Sequence, residues 1–415
     1  MFKKDYKLVN KCRLCLKKKL KTVFDLGKTP LANSLLDKNQ INTKEKLYPL
    51  KLNFCRNCFH LQLSHSVSAK KMFNKYFYLS NTSKQNRDHF KSYAKKIDKF
   101  FPKNKKKSIL DIASNDGTFL NFFDKQKYYR LGIDPAKNLV KFSKKLGITQ
   151  LPIFFTKKNS YHIKKKYGDF DIITANHVCA HVTDLHDFFY GVKNLLKRKG
   201  VFVFEVSYLG NVIKKKTFDT IYHEHADYHS LKPILSFVKK FNMRVFDYNL
   251  VDAQGGSIRV YVGHQKAVTV KTKKINKLIH FEKNKLKLFK ISTYKKFNHE
   301  VNFVKDKLIK LLNNIIKKEK IIIGYGAAAK TTTLMSYFGI DKSIINLIID
   351  DNRLKQNKFT PSTHIPIFSA KKINQIKPDY ILVLAWNYAK YIVNKKNFKF
   401  NGKFIIPFPK IKITK

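Results

Sequence analysis

The chain has 415 residues, more than one hydrophobic core usually organises and enough for two or three domains. Hydrophobic residues make up 43%, which excludes a disordered chain, and no run approaches the roughly 20 apolar residues of a membrane span. The first residues lack the apolar core of a signal peptide, so we expect a soluble, cytoplasmic protein that does not bind membranes.

The charge is strongly positive: Lys and Arg number 85, Asp and Glu 28, and the formal net charge is +57. Such an excess suggests nucleic-acid binding. Only 8 of the basic residues are Arg, however, and proteins that read phosphates and bases favour the planar, bidentate Arg side chain. The Lys residues also spread along the whole chain. We therefore interpret them as solvated faces and expect only non-specific binding to nucleic acid at low salt.

Four of the five cysteines form two CxxC pairs near the N-terminus, 39 residues apart. Two pairs supply four thiolates, the tetrahedral set that Zn²⁺ prefers in a closed structural site. A redox motif would need one pair, and a disulfide framework would need an oxidising compartment. We expect a zinc ion that folds the N-terminal module and does no chemistry, with Cys179 as a buried apolar residue. The predicted ligands are Cys12, Cys15, Cys55 and Cys58.

Apolar runs alternate with helical patterns from Ser108 onwards, which predicts parallel sheets covered by helices on both faces. The first predicted strands are SILDIA, YYRLGID, DFDIITANHV and GVFVFEVSYL, followed by RVFDYNLV and GGSIRVYVGH. One long Lys-rich helical stretch is predicted from about Lys271 to Lys320. The alternation then restarts with KIIIGYGAAAKTTTLMSYFGI, INLIIDD, HIPIF and YILVLAW. These patterns indicate two doubly wound α/β units behind the zinc module.

The turn after the first strand, Asp111 to Gly117, indicates a nucleotide site because open α/β sheets bind ligands at the carboxyl ends of their strands. A helix, TFLNFF, is predicted to follow. Asp134 ends the second strand, where an acidic residue can accept both ribose hydroxyls. The pattern is weaker than GxGxxG and also suits S-adenosylmethionine (AdoMet), which has no pyrophosphate. An ordinary strand-to-helix connection is the alternative.

A second Gly-rich turn, Gly324-Tyr325-Gly326, matches GxGxxA and makes an NAD-binding unit a rival interpretation. Asp350 and Asp351 could hold a ribose, and Lys330 beside a helix N-terminus would favour a phosphate. A purely structural turn is also open.

Many motifs in one order resemble the AdoMet-dependent C-methyltransferases of nucleotide-linked 4-keto-deoxysugars. DIASNDGTFL is similar to their DIGSNDGT turn, and the resemblance continues through CRLC, CRNCFHLQL, YFYLSNTS, ANHVCAHVTDLHDFF, FDTIYHEH, GGSIRVYV, GYGAAAKTTTL, KQNKFTPSTHIPI and LAWNYA over nearly the whole chain. Ala113 departs from a position that is usually Gly and fits only where φ stays negative. ADYHS also departs from the LSYFS-like run expected after His225.

The resemblance implies a zinc-binding module at residues 1–70, a class I methyltransferase domain at 71–285 and a C-terminal Rossmann-like domain without a redox cofactor at 286–415. The substrate it implies is a nucleotide-linked 4-keto-6-deoxysugar, which Tyr76 would contact, and we expect Lys330 to contact its diphosphate. The residues expected to bind AdoMet are Asp111, Ser114, Asn115, Gly117, Asp134 and Asn176.

Methylation at carbon requires deprotonation beside the ketone, and the enolate then attacks the sulfonium methyl. The protein must supply a base and hydrogen-bond donors for the oxyanion. The resemblance places the base at His225, Tyr222 and Glu224 in the same pocket, and His181 in the active site. Alternatively, the HxH with its Glu could bind a metal, His181 could pack after a strand, and Tyr76 could be a core aromatic.

A zinc-containing nucleic-acid-binding protein or nucleic-acid methyltransferase is the second function class. Such an enzyme should show Arg-rich surfaces interleaved with aromatic residues. It commonly carries an NPPY-type or catalytic Cys motif, and neither occurs around Asn176. The YHEH block and the two-unit architecture favour the sugar C-methyltransferase.

Overall fold

The protein is a mixed α/β structure, with four sheets in the residues that the structure describes, which confirms the predicted fold class. The computed structural model describes residues 5–73, 79–100, 105–395 and 400–415. No helix in these ranges is long and apolar enough to cross a membrane.

The N-terminal module contains a two-stranded sheet, β1 with β5, and a four-stranded antiparallel sheet in the order β11-β4-β3-β2. Its own elements are β1 Tyr6–Leu8, β2 Leu20–Thr29, β3 Tyr48–Cys55, β4 Leu61–Leu63, β5 His65–Val67 and α1 Ala69–Phe73. The outer strand β11, Asp227–Tyr228, comes from the YHEH region far along the chain. The zinc module is therefore completed by the segment that follows His225.

The central unit has a seven-stranded sheet in the order β12-β13-β10-β9-β6-β7-β8. The five strands β6 to β10 are parallel, and β13 and β12 add antiparallel strands at one edge. The strands are β6 Lys107–Ile112, β7 Tyr128–Ile133, β8 Thr149–Leu151, β9 Phe170–Asn176, β10 Leu196–Ser207, β12 Met243–Val251 and β13 Ser257–His264. The inner strands are buried on both faces, which explains their nearly continuous Ile, Val, Leu and Phe content.

Helices cover this sheet: α2 Lys84–Asp98, α3 Val140–Lys145, α4 Lys157–Tyr167, α5 Leu185–Leu195, α6 Leu209–Lys215 and α7 Leu231–Val238. The predicted helix TFLNFF is wrong, because only a 3₁₀ turn forms at Leu120–Phe122. Phe119 and Phe123 both pack into the core, with Phe119 against Phe90 of α2, and the backbone is extended again at Phe123.

The long Lys-rich helix is also wrong as one element. The segment contains α8 Thr272–His280, a π-helical turn Phe281–Lys285 and α9 Ile291–Ile316. Glu282 in the break is buried and accepts hydrogen bonds from the backbone N–H groups of Leu231 and Lys232 at the start of α7. The helix is interrupted because Glu282 is held against the start of α7 and because Lys287 adopts a left-handed φ of 53°.

The C-terminal unit has a six-stranded sheet in the order β16-β15-β14-β17-β18-β19, parallel except for the last strand. Its elements are β14 Ile322–Tyr325, α10 Ala329–Phe338, β15 Ile348–Ile349, β16 Ile367–Phe368, α11 Ile373–Ile376, β17 Tyr380–Val383, α12 Ala389–Val393, β18 Lys403–Ile406 and β19 Lys412–Thr414.

One hydrophobic core joins the three units. The ring of Phe24 on β2 lies 5.8 Å from that of Phe297 on α9 and 5.5 Å from that of Tyr337 on α10. Phe218, just before the YHEH block, stacks on Phe338 at 5.2 Å. Burial of these aromatic rings fixes the N-terminal module and the C-terminal unit on either side of the YHEH segment.

Candidate active site and zinc site

The four predicted metal ligands lie together, with their Sγ atoms within 4.8 Å of one another. Cys12 and Cys58 are 3.5 Å apart, and Cys15 and Cys55 are 3.6 Å apart. A tetrahedral site with Zn–S bonds of about 2.3 Å would place its sulfurs ~3.8 Å apart, so the cluster fits zinc. Both CxxC pairs form the same turn. In each, the backbone N–H of the fourth residue after the first Cys donates to the carbonyl of that Cys, and this fourth residue has a left-handed conformation. These residues are Leu16, with φ 65°, and Phe59, with φ 67°.

The turn after β6 is built from left-handed residues. Ala113 has φ 56°, Asn115 φ 53° and Gly117 φ 80°. The negative φ under which an alanine would fit is therefore absent, and Ala113 carries strain that glycine would avoid. A Cβ at Gly117 would meet Ser143 and Ile148 at 3.1 Å, so this glycine also serves local packing.

Asp134 orders this turn from the end of β7. Its Oδ2 accepts the backbone N–H of Asn115 at 3.0 Å, and its Oδ1 accepts that of Ala136 at 2.9 Å. Burial raises the pKa of Asp134, although these two hydrogen bonds oppose the rise. Each carboxylate oxygen has a further lone pair, so Asp134 can still accept the ribose hydroxyls of AdoMet.

Polar groups at the neighbouring strand ends fit a ligand at this sheet edge. Asp111 Oδ1 accepts hydrogen bonds from Thr174 at 2.6 Å and from Asn176 Nδ2 at 3.3 Å. Burial raises the pKa of Asp111 to about 7. Ser114 Oγ and Asn176 Oδ1 are buried atoms without a hydrogen-bond partner in the described structure. Because buried polar atoms are normally paired, these two atoms suit contacts with a bound cofactor.

The side chain of Asn115, expected to bind AdoMet, also contacts the backbone of the SNTS segment. Its Oδ1 accepts the backbone N–H of Ser80 at 3.0 Å, and Asp116 Oδ2 accepts that of Asn81 at 3.0 Å. The SNTS segment is thereby fastened over the turn. Tyr76, in the same motif, lies outside the described residues.

His225 has a defined tautomer. Its Nδ1 lies 2.8 Å from the carbonyl oxygen of Thr220, and its Nε2 lies 2.8 Å from the hydroxyl oxygen of Tyr222. A carbonyl only accepts, so Nδ1 carries the proton and Nε2 accepts from Tyr222. Burial lowers the pKa of His225 well below its usual range, and the nearby charges of His181 and Lys330 act in the same direction. The imidazole is therefore neutral near pH 7 and able to accept a proton.

His181 and Glu224 are two further titratable residues close to His225. The His181 ring centroid is 5.0 Å from that of His225, and burial lowers the pKa of His181 to about 4. Glu224 Oε1 accepts a hydrogen bond from Asn33 Nδ2 of the N-terminal module at 2.6 Å. Burial raises the pKa of Glu224 to about 7, and the bond from Asn33 opposes the rise.

The two histidines of the HxH motif diverge. The ring of His223 packs against Tyr48 at 5.7 Å, while His225 turns to Thr220 and Tyr222. Within the described ranges, the four cysteines are the one His, Cys, Asp or Glu group close enough to hold a metal. The arrangement of the motif suits proton transfer better than metal binding.

Helix α10 of the C-terminal unit contacts both the N-terminal module and the backbone just before Tyr222. Thr333 Oγ1 donates to the carbonyl of Ile221 at 3.0 Å, and Thr332 Oγ1 donates to that of Ala32 at 2.9 Å. Lys330, in the first turn of α10, is half-buried, and its charge lowers the pKa of His225. The helix therefore holds a cation near the proposed base. In the Gly-rich turn itself, Asp350 accepts the N–H of Ala327 at 2.7 Å, so this carboxylate orders the turn.

Sequence reasoning missed two buried groups around the site. Trp386 Nε1 donates to Asp219 Oδ2 at 2.7 Å, and burial raises the pKa of Asp219 to about 6. Arg259 Nε donates to Glu205 Oε2 at 2.9 Å, and His89 Nε2 lies 2.8 Å from Glu205 Oε1. Apart from His89, these residues lie within or beside motifs noted in the sequence. The paired residues are 167, 54 and 116 positions apart along the chain, so no local spacing could indicate these contacts.

Three family models match consecutive parts of the chain. "Putative zinc binding domain" covers residues 12–73, "Methyltransferase domain" covers 85–247, and "C-methyltransferase C-terminal domain" covers 252–409. The first segment contains all four clustered cysteines, which confirms the predicted zinc cofactor. The second contains the turn and strand ends that fit AdoMet, the cofactor predicted from the sequence.

A curated relative, C-methyltransferase NovU from Streptomyces niveus, is 30% identical over 407 residues, 98% of this chain and 97% of the relative. Two solved structures also match. An S-adenosylmethionine-dependent methyltransferase from Clostridium acetobutylicum is 15% identical over 44% of this chain and 93% of its own, with a TM-score of 0.34. PH0226 protein from Pyrococcus horikoshii is 14% identical over 45% and 94%, with a TM-score of 0.35. Both scores lie below 0.5, so nothing is inferred from either likeness.

Proposed function

This chain belongs to the C-methyltransferase family, and from that premise we propose that it methylates carbon 3 of a nucleotide-linked 4-keto-6-deoxysugar. The proposal is carried by one observation, the neutral His225 imidazole whose Nε2 accepts the Tyr222 hydroxyl. A proton acceptor and a hydroxyl donor side by side are what deprotonation next to a ketone requires.

His225 acts as the base in this proposal. The Tyr222 hydroxyl turns from Nε2 of His225 to the carbon-4 oxygen of the sugar, which frees Nε2 for the carbon-3 proton. The Thr220 carbonyl holds the imidazole in place by accepting the hydrogen bond from its Nδ1–H throughout the reaction. The C–H electron pair becomes the enolate, and its negative oxygen accepts the hydrogen bond from Tyr222.

Bound AdoMet supplies an electrophilic methyl group on a sulfonium sulfur. Asp134 would hold its ribose, while Asp111, Ser114 and Asn176 face the same sheet edge. Held by these residues, AdoMet would give its methyl group to the enolate carbon: the C–C bond forms as the methyl–sulfur bond breaks, S-adenosylhomocysteine leaves with that electron pair, and the ketone is restored. The proton on His225 then passes to solvent, which returns the imidazole to its neutral form.

The sugar nucleotide would be held from three sides. Glu224, fixed by Asn33, orients a sugar hydroxyl from the YHEH segment. His181 lines the same pocket beside His225. Lys330 would meet the diphosphate, and this assignment is supported by its half-buried position and by the effect of its charge, which lowers the pKa of His225. This proposal requires no metal at the reacting atoms.

A methyl-transfer assay tests the proposal. The protein is incubated with AdoMet and a panel of dTDP-, GDP- and CDP-linked 4-keto-6-deoxysugars, and products are weighed by mass spectrometry. One sugar should gain the mass of one methylene with wild type and with His162→Ala, an exposed histidine on α4, but not with His225→Ala. A panel without product, while AdoMet still binds, would contradict the proposed substrate class.

A further inference from the structure

Arg13 lies between two zinc ligands, Cys12 and Cys15, yet its side chain leads away from the cysteine cluster. Its Nε donates to both carboxylate oxygens of Asp227, at 2.9 and 2.8 Å. Its Nη2 donates to the carbonyl oxygen of Val182. The backbone N–H of Arg13 also donates to Gln62 Oε1 at 2.7 Å, so the zinc module holds the residue at both its main chain and its side chain.

The two residues that accept hydrogen bonds from the guanidinium are close in sequence to His181 and His225. Val182 directly follows His181, and Asp227 stands two residues after His225. The N–H of Ala226 donates to the carbonyl of Ala180 at 2.8 Å, which joins the two segments directly. One side chain from the zinc knuckle therefore holds the segments whose imidazole centroids are 5.0 Å apart.

Burial makes this contact strong. The side chains of Arg13 and Asp227 are 8% and 0% exposed, and His60 Nε2 lies 2.8 Å from Asp227 Oδ1. Burial alone would raise the pKa of Asp227, but Arg13 and His60 outweigh it and hold the pKa below its ordinary value. Removing one partner would leave a buried charge without compensation, which is a much larger perturbation than breaking a surface ion pair.

Asp227 and His229 both lie in the ADYHS run, which departs from the LSYFS-like run expected after His225. Asp227 receives Arg13 and His60, and the His229 ring lies 5.6 Å from the His60 ring. The same run forms β11, which pairs with β4 of the zinc module through Asp227 opposite Gln62 and Tyr228 opposite Leu61. The ADYHS run therefore contacts the zinc module through an ionic pair as well as through a strand pairing.

We propose that Arg13 is a positioning residue through which the zinc knuckle sets the placement of His181 and His225. The proposal rests on the proposed function, in which His225 is the base. Zinc then acts on the reaction without touching the reacting atoms, because it fixes the Cys12–Cys15 turn and so the start of the Arg13 side chain. The turn itself is closed by the bond from Leu16 N–H to the Cys12 carbonyl at 2.9 Å.

The test uses three variants: Arg13→Gln, Asp227→Asn and the double variant that combines these two substitutions. Each is compared with the control variant Lys46→Gln. Lys46 forms an exposed ion pair with Asp5 in the same module and is the matched control. Hydrogen-exchange mass spectrometry follows residues 179–184 and 218–228, and zinc content is measured on every variant. The double variant replaces both charges by amides, so it keeps the proposal testable where a single variant fails to fold.

We expect full zinc content and faster exchange in both segments for the Arg13 and Asp227 variants, with no change for Lys46→Gln. In the methyl-transfer assay kcat should fall about 10- to 100-fold while the KM for AdoMet stays unchanged, since a misplaced base costs rate without costing cofactor binding. Asp227→Asn should add no further loss to His225→Ala, because it acts through that residue.

Exchange in both segments that matches the Lys46→Gln control would overturn the positioning role of Arg13. An undiminished effect of Asp227→Asn in the His225→Ala background would overturn it as well. The exchange measurement needs no substrate. Faster exchange in an enzyme that methylates no sugar of the panel would therefore overturn the proposed function and leave the contact of the zinc knuckle with both segments standing.

Discussion

The hydroxyl oxygen of Tyr222 lies 2.8 Å from Nε2 of His225, on the opposite side of the ring from the Thr220 carbonyl. This pairing leaves a neutral imidazole with its lone pair covered by a hydroxyl that can turn to a second acceptor. One donor can then serve the base before proton transfer and the oxyanion during it.

The first prediction concerns Tyr222→Phe, which keeps the ring and removes the hydroxyl. We expect kcat for methyl transfer to fall about 100-fold, the usual loss when one oxyanion donor is removed, with AdoMet affinity unchanged. Tyr228→Phe is the control, because its hydroxyl contacts the Thr220 carbonyl at 3.3 Å without touching the imidazole. Equal losses in the two variants, measured by steady-state kinetics, would speak against the role of Tyr222.

The second prediction concerns pH and Glu224. Its pKa of about 7 in the folded protein exceeds the ordinary 4.5, so the folded chain binds more protons than the unfolded chain between these values. The contribution of Glu224 to stability is then full below about pH 4.5 and is lost as pH rises through 7. Glu224→Gln has no such loss and still accepts from Asn33.

The difference in melting temperature between Glu224→Gln and wild type should therefore become more positive from pH 5 to pH 8. The corresponding change in the free energy of unfolding is on the order of 2–3 kcal/mol. Differential scanning fluorimetry measures this difference. Asn302→Ala on α9 changes no charged group and is the control, because its difference from wild type should not depend on pH. A flat or falling difference would show that Glu224 has no raised pKa.

The third prediction concerns the strained turn at Ala113, which has φ 56°. Ala113→Gly should relieve ~1–2 kcal/mol of left-handed strain and lose part of that gain to the greater freedom of glycine in the unfolded chain. A rise in melting temperature of about 1–2 °C is the expected result. The same substitution at Ala94, in the interior of helix α2, should lower the melting temperature because glycine is disfavoured there. Equal shifts at both positions would contradict the strain at Ala113.

The fourth prediction concerns Lys330. Lys330→Glu should weaken binding of the sugar nucleotide about 10- to 100-fold, as expected from losing a charge-assisted hydrogen bond, and leave AdoMet affinity unchanged. Lys342→Glu, exposed on the same unit, carries the same change in net charge and should leave both affinities unchanged. Isothermal titration calorimetry measures both ligands. Unchanged binding of the sugar nucleotide to Lys330→Glu would remove Lys330 from the site.

Local spacing was enough to predict the metal centre and most of the parallel strands. The two CxxC pairs predicted a four-cysteine site because each knuckle is a short turn, and the apolar runs predicted the parallel strands because both faces of those strands are buried. Asp134 was placed at the end of its strand by the same logic. These features depend on residues close in sequence or on a simple period.

Two predicted helices were wrong because tertiary contacts overrode a helical pattern. Phe119 and Phe123 are held in the core, which leaves TFLNFF with a 3₁₀ turn, and Glu282 is held by the start of α7, which interrupts the Lys-rich helix. In each case a side chain satisfied a distant partner at the expense of the local element.

Long-range pairs of buried polar side chains could not be predicted at all. Arg13 and Asp227 are 214 residues apart, and Trp386 and Asp219 are 167 residues apart. Arg13 lies between two metal ligands and has no further local signal, and Asp227 appeared only as part of a departure from a family pattern. Their meaning depends on β11 joining the zinc-module sheet, which one sequence does not reveal.

The most direct test of the account is proton exchange at carbon 3 of the sugar. Wild-type protein, S-adenosylhomocysteine and the 4-keto-6-deoxysugar nucleotide that supports methyl transfer are placed in D₂O and followed by proton NMR. The carbon-3 signal should disappear with wild type and persist with His225→Ala, while the carbon-5 signal, also beside the ketone, persists in both. Loss of the carbon-3 proton at the same rate in His225→Ala would contradict His225 as the base.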